Sequence, residues 1–575
     1  MLKIPYGESN FASIREQGYL YVDKTHFIEK VERSKRLIHL RPRRFGKSLF
    51  LSMLDSYYDV AMAPQFDELF EGLYVHGHPT GSQNSYYMLR FNFSGVQNTA
   101  MSNLEQGFLE RVKDGVKRFI GRYNLDIKLE ESASAASLLS SLISSFEGLG
   151  HPEKIYILID EYDHFTNSVL NGDGAEFLDV LRRGGFVHSF YEVIKEKAEL
   201  GVVDRFFITG VMSVTLDSMT SGFNIASNIT IEADFADMMG FTSDEVKEIL
   251  RQQYLGENQS EVAVRLTEAE QTDIFEIFKS NYNGYQFSAE SNARVFNSTL
   301  IMYYLERYLP QKRPPRSLVD VNLNQSGATI ESIAGLKNRE QNYKIIEEIV
   351  SNGMVEGTLQ PFTMIDKKFD RNDLITLLFN LGLLTIKGFD FVTQFMMPNR
   401  IIENIYMKFL SELVQKQSNF TVDISKQQDA INELGRKGEI SGLTELVSEF
   451  LSHTSNRNTI QFDEKYIKLA YMMLLSYSEQ FSVYDEFPSR QGYCDLFIKK
   501  ASNSAARYEV LIELKYIKKG ETTKGKIEAE FSDGIHQAEA YMQDTRLAAN
   551  KDLRVFVVVF SGFDVVKLEE VTKNK

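Results

Sequence analysis

Over its first 290 residues the chain alternates short β-branched apolar runs with stretches whose apolar positions recur at helical spacing. That alternation predicts a parallel sheet with helices on both faces. The clearest strands are 36–40 (RLIHL), 155–160 (IYILID) and 205–210 (RFFITG), and residues 244–253 and 268–280 read as helices. Residues 308–316 (YLPQKRPPR) combine prolines with charge and read as a connector. From 291 to about 455 the pattern is mostly helical, with winged-helix-like elements allowed for. The block 456–575 begins with a long apolar helix, 464–481. Strands at 491–498 and 508–516 follow, joined as a hairpin. A helical stretch then carries Gln537 and Tyr541 at i, i+4, and the buried strand FVVVF (556–560) comes last. There is no internal repeat and no long low-complexity tract.

Composition narrows this only a little. A 575-residue chain that is 43% hydrophobic and 25% charged is expected to form several globular domains. No apolar run approaches the roughly 18 residues of a membrane span, and the opening MLKIPYGESNF lacks an apolar leader core. One cysteine, Cys494, excludes an internal disulfide framework. The expected setting is therefore the reducing cytoplasm, with no membrane partner. A net charge of −15 argues against a general nucleic-acid coat protein and leaves room for a locally basic groove.

The first candidate for chemistry is RPRRFGKSLF, residues 41–50. Gly46-Lys47-Ser48 ends like a phosphate-binding loop of form G-x-x-x-x-G-K-[ST], with Arg41 where the first glycine belongs. On their own these residues fit a basic surface turn as well. The strand RLIHL precedes them and a helical pattern follows, as phosphate binding at a helix N-terminus requires. In that reading the backbone of Arg44, Phe45, Gly46 and Leu49 faces ATP phosphates. Lys47 reaches the β- and γ-phosphates and the Ser48 hydroxyl ligates Mg²⁺. IYILIDEYD ends in adjacent acids, with Asp160 suited to Mg²⁺ and Glu161 to orienting water. Thr209, at the end of RFFITG, is a candidate γ-phosphate sensor.

RPRRFGKSL, LIDEYD, FITGV, SGFNIASNIT (221–230), MGFTSDEV (239–246) and NYNGYQF (281–287) occur in this order, after FASIREQGYLYVDKTHFI (11–28). Together they resemble the predicted AAA-ATPase-like family of bacterial P-loop proteins over about 1–290. Those proteins are similar in having Arg-Pro-Arg-Arg in place of the first glycine. An arginine Cβ restricts the backbone there as glycine would not. NDLITLLFNLGLLTI (372–386) and MPNR (397–400) echo the same proteins, and read as a buried helix with a strand and as a turn.

In the last block Glu513 and Lys515 share a strand face, being two residues apart. With Asp495 opposite, two carboxylates and an ammonium converge in an apolar hairpin, a set that suits metal-assisted phosphodiester hydrolysis. An ordinary cross-strand pair on a wet face is the plain alternative. Helix, hairpin, helix and strand with D…E-x-K resemble the PD-(D/E)XK nuclease superfamily over about 456–575. The resemblance gives Asp495, Glu513 and Lys515 the core positions, with Asp495 and Glu513 on the metal. It makes Glu464 the helix acid, in competition with Asp463 and Glu486, and Gln537 a supporting glutamine. Cys494 replaces the proline before the aspartate and reads as packing.

His76-Gly-His78 reads as a loop and Arg182-Arg183 as an exposed helix end. The expected fold is thus α/β: a P-loop NTPase domain (1–290), a helical connector (291–455) and an α/β restriction-endonuclease-like domain (456–575). The expected function is Mg²⁺-dependent ATP binding and hydrolysis coupled to cleavage of nucleic acid. A nucleotide-switched binding or assembly protein, acting as a homo-oligomer without cutting, is the alternative. No motif selects DNA over RNA or a base sequence.

Overall fold

The computed structural model describes residues 2–95, 101–129, 134–164, 185–212, 226–255, 263–319, 326–336, 338–360, 369–454, 463–489, 492–501 and 504–572. The chain divides into two compact units. The first comprises Met1–Lys312, Glu331–Ile346 and Met354–Asn399, and the second comprises Arg313–Ile330, Glu347–Gly353 and Arg400–Lys575.

In the first unit, strands β1 (Arg36–Leu40), β2 (Tyr86–Asn92), β3 (Lys154–Asp160), β4 (Val203–Gly210) and β5 (Ser227–Asn228) form a parallel sheet in the order β2-β3-β4-β1-β5. β1, β3 and β4 are buried almost end to end, as parallel strands covered on both faces must be. The three predicted strands are present. The predicted helices appear as Ser243–Arg251 and Glu268–Asn281, each opened by a Thr–Glu capping box. A short antiparallel pair, β6 (Gln253–Leu255) and β7 (Ala263–Arg265), lies between them.

Two expectations are corrected here. The helix Ser298–Gln311 runs through Pro310 and stops at left-handed Lys312, so residues 308–311 are helical. Pro310 stands in the last turn, where it removes one N–H bond just before the helix ends. The boundary near 290 falls inside the first unit. Strands β8 (Met354–Gly357), β9 (Thr385–Phe389) and β10 (Thr393–Met396) form an antiparallel sheet of order β8-β10-β9 beside the helix Arg371–Asn380. This region interlocks with NYNGYQF. The Gln286 N–H donates to Thr385 Oγ1 at 2.7 Å, and Asn399 Nδ2 donates to the Asn283 carbonyl at 2.9 Å. Gly284, at φ 97°, lies so close that an added Cβ would meet the Pro398 carbonyl oxygen at 1.9 Å.

In the second unit, β11 (Phe481–Ser489), β12 (Gly492–Lys500), β13 (Glu509–Ile517), β14 (Leu553–Ser561) and β15 (Asp564–Glu570) are neighbours in chain order. All pairs are antiparallel except β13–β14. That parallel pair needs a crossover, supplied by the helix Lys524–Tyr541. Gly534 lets the helix meet the sheet: a Cβ there would lie 2.6 Å from Val557. The first helix of this block ends at Leu475, not 481, because Phe481 onward pairs with β12 as a strand. Cys494 is fully buried in the core under this sheet. Among the described residues no helix is long and apolar enough to cross a membrane.

Candidate active sites

The loop after β1 answers the question posed by Arg41. Its left-handed positions are Arg44 (φ 72°) and Gly46 (φ 91°), not Arg41. The absent glycine is therefore not needed for its backbone freedom. Arg41 instead acts as a strut. Its guanidinium, 1% exposed, donates to the carbonyls of Leu40 (2.9 Å), Thr230 (2.6 Å) and Phe235 (2.9 Å), and stacks 4.2 Å over the Phe287 ring. Burial lowers its pKa to about 9, opposed by Asp237. Phe45, next in the loop, packs edge-on against Tyr285 and Phe287. The Phe45 carbonyl accepts from the Gly240 N–H at 3.0 Å, and that of Arg44 from Thr299 Oγ1 at 3.0 Å. MGFTSDEV and NYNGYQF are thus the loop's supports.

Gly46 caps the helix Lys47–Tyr58 without a capping side chain, leaving first-turn N–H groups for an anion. Lys47 Nζ donates to the carbonyls of Arg41 and Pro42, both at 2.9 Å. Burial lowers its pKa to about 8, with Asp160, Asp163 and Glu161 pulling the other way. Ser48 Oγ donates to Asp160 Oδ2 at 2.6 Å. Burial raises the Asp160 pKa, and this Ser48 bond lowers it. Hydroxyl and carboxylate oxygens side by side are hard ligands and fit Mg²⁺.

Glu161 takes a left-handed backbone (φ 49°), a strained place for a non-glycine residue. Its carboxylate shares a hydrogen bond with His164 Nδ1 at 3.1 Å, which is the main cause lowering its pKa. Asp163 is structural, accepting from the Val211 and Met212 N–H groups. Thr209 lies on β4, between the ends of β1 and β3 as expected. Its hydroxyl is fully buried, however, and donates to the His39 carbonyl at 2.8 Å. As placed it braces β4 against β1.

A cavity of about 430 Å³ opens from the loop, with Lys47, Ser48 and Glu161 on its polar side. Leu20, Met238, Phe241 and Met302 give it an apolar side. These residues were not singled out from the sequence. They come from three segments distant in the chain, and only the fold brings them together.

In the second unit the hairpin β12–β13 pairs Leu496 with Ile512, so Asp495 and Glu513 are next in register. Asp495 Oδ2 accepts the Leu514 N–H at 2.8 Å. Glu513 is 2% exposed; Lys515 Nζ lies 3.1 Å from its Oε1, and its Oε2 is buried without a hydrogen-bond partner. Burial first, then the neighbouring Asp495 charge, raises the Glu513 pKa to about 8. Gln537 accepts from Lys515 at 3.0 Å and donates to Asp533 at 2.9 Å, and so holds the lysine in place. An orphaned carboxylate oxygen among acids fits a hard cation.

Of the candidate helix acids, two can be placed. Asp463 is the N-cap and accepts the Tyr466 N–H, whereas Glu464 faces the cluster. The Glu486 side chain lies outside the described residues, as do Arg182 and Arg183. Lys468 was missed from the sequence: its Nζ sits 2.6 Å from Asp495 Oδ1 and 3.1 Å from Glu464 Oε1. Its i, i+4 spacing from Glu464 was the available signal. Among the described residues, no three His, Cys, Asp or Glu side chains are gathered as a ready metal cage. His78 stacks on Tyr74 at 4.3 Å, and His76 pairs with Asp67.

Comparisons agree with this division. Residues 5–220 match the family model described as Predicted AAA-ATPase, and residues 462–570 the PD-(D/E)XK nuclease superfamily. A protein described as "Uncharacterized protein in vnfD 5'region", from Azotobacter chroococcum mcd 1, is 27% identical over 326 residues. The match covers 56% of this chain and 56% of that protein, so it spans little more than half of the relative's length. The chain therefore joins a domain of the predicted AAA-ATPase family to a domain of the PD-(D/E)XK nuclease superfamily.

Proposed function

We propose that the first unit binds and hydrolyses ATP with Mg²⁺, and that the C-terminal domain cleaves phosphodiester bonds with a divalent ion under control of the bound nucleotide. The observation that carries the first half is the 2.6 Å contact of Ser48 with Asp160 at the mouth of the Lys47 loop. Lys47 would leave its loop carbonyls for the phosphates, and the backbone from Arg44 to Leu49 would orient them. Glu161, kept ionised by His164, would align the attacking water. The apolar side of the cavity suits a purine base.

In the C-terminal domain Asp495, Glu513 and Glu464 would hold the divalent ion, which when bound supplies charge neutralisation at the phosphate. Lys515, fixed by Gln537, would stabilise the developing charge. Calorimetry with MgATP tests the first half: micromolar binding by the full chain, lost in Lys47→Ala, is expected. No binding to either form would sink it.

A second reading, a nucleotide-switched protein that binds nucleic acid without cutting, is favoured by Lys468, which already neutralises Glu464 and Asp495. Nucleic-acid capture with no Asp495-dependent cleavage products would support it.

A further inference from the structure

Lys468 belongs to none of the roles assigned above, yet it lies at the centre of the C-terminal cluster. Its side chain is 14% exposed, and its ammonium bridges Asp495 on β12 and Glu464 one helical turn away. Asp495 has one oxygen engaged by the Leu514 N–H, so the oxygen facing Lys468 is the one left for another ligand. A divalent ion binds carboxylate oxygen at about 2.0–2.6 Å. An ion on Asp495 Oδ1 would therefore crowd against an ammonium that sits 2.6 Å from the same atom. Two like charges cannot share this position in a half-buried site without strong repulsion.

Lys515 differs. Its ammonium pairs with Glu513 and Asp533 and donates to Gln537, whereas that of Lys468 pairs with Glu464 and Asp495. Glu464 and Asp495 are thus arranged around an internal cation.

We propose that Lys468 is a built-in counter-cation that competes with the divalent ion for Asp495 and Glu464, so that the ion enters only by displacing the lysine. This rests on the reading of Asp495 as a metal ligand. It makes Lys468 a positioning residue that sets the threshold of divalent ion needed to load the site.

The test is Mn²⁺ titration of the full chain by calorimetry without nucleotide, and the quantity read is the binding that Asp495→Asn removes. Lys468→Met, which keeps the aliphatic stem and removes the charge, is expected to tighten that binding at least tenfold. Lys468→Arg should leave it within about threefold of wild type. Unchanged or weaker binding in Lys468→Met, with the same circular dichroism spectrum as wild type, overturns the competition and leaves the metal site standing. If Asp495→Asn removes no binding, the metal site and the competition fall together.

Discussion

The two candidate sites hold charge by different means. In the first unit the phosphate loop is built from backbone. Arg41 ties the loop to carbonyls of Thr230 and Phe235, and Arg44 and Gly46 supply the left-handed turns. In the second unit the site is a side-chain cluster, with three acids and two lysines at the end of a hairpin and on the helix beside it. A backbone cradle is fixed by the fold and offers its N–H groups whatever the pH. A side-chain cluster answers to pH, salt and competing cations. The first is suited to holding one ligand class, the second to being switched.

The largest effect should come from the cluster. Asp495→Ala is expected to reduce release of acid-soluble nucleotides from DNA or RNA by about 1,000-fold, because one ligand of the reacting centre is lost. Residual cleavage above a tenth of wild type would break the side-chain half of the comparison. Arg41→Gly restores the common loop glycine and should still destabilise the first unit by about 3 kcal/mol in urea unfolding, since buried charge-assisted bonds are removed. It should not tighten ATP binding. A gain in affinity would show that the arginine obstructs the loop instead of holding it.

A smaller effect is expected from pH. Lys47 loses its charge above about pH 8 unless phosphate holds the proton on. ATP affinity should be level from pH 6.5 to 7.5, then fall by up to about tenfold per unit above pH 8. Isothermal titration across that range checks the sign. The smallest expected effect is that of Gly382→Ala, about 1–2 kcal/mol. Gly382 is left-handed at φ 75°, and an added Cβ would meet the Pro42 ring at 2.9 Å. Its ATP affinity should fall with its stability if the middle segment supports the loop.

Most of the first unit was legible because local signals agreed. RLIHL became β1 without a shift in its ends, and IYILID and RFFITG each gained one or two residues at the start. Among the strands missed, β8, β10, β11 and β15 are short or part-exposed and carry no strong alternation. They form because a neighbour pairs with them. At the sites, Lys47, Ser48 and Asp160 were readable from spacing, and the fold brings the Ser48 hydroxyl onto the Asp160 carboxylate. The true work of Arg41 was not readable, since its partners lie 189 and 194 residues on. Thr209 lies on the strand read for it, and the partner of its hydroxyl, a main-chain carbonyl on β1, leaves no signal in the sequence. Lys468 was overlooked because a lysine four residues from a glutamate is commonplace on an exposed helix. Only the fold turns that face toward Asp495.

The reach of Arg41 also sets an order of assembly. A chain growing from the ribosome carries the whole loop sequence once residue 50 has emerged, yet Thr230, Phe235 and Phe287 follow some two hundred residues later. Such long-range closure is slow and comes late in folding. A fragment ending at residue 220 would contain Lys47, Ser48, Asp160 and Glu161 and, of the three carbonyls that hold the guanidinium, only that of Leu40. The candidate nucleotide site is therefore finished only after most of the first unit has been made, so the nascent chain has no completed loop of this kind during the early part of its synthesis.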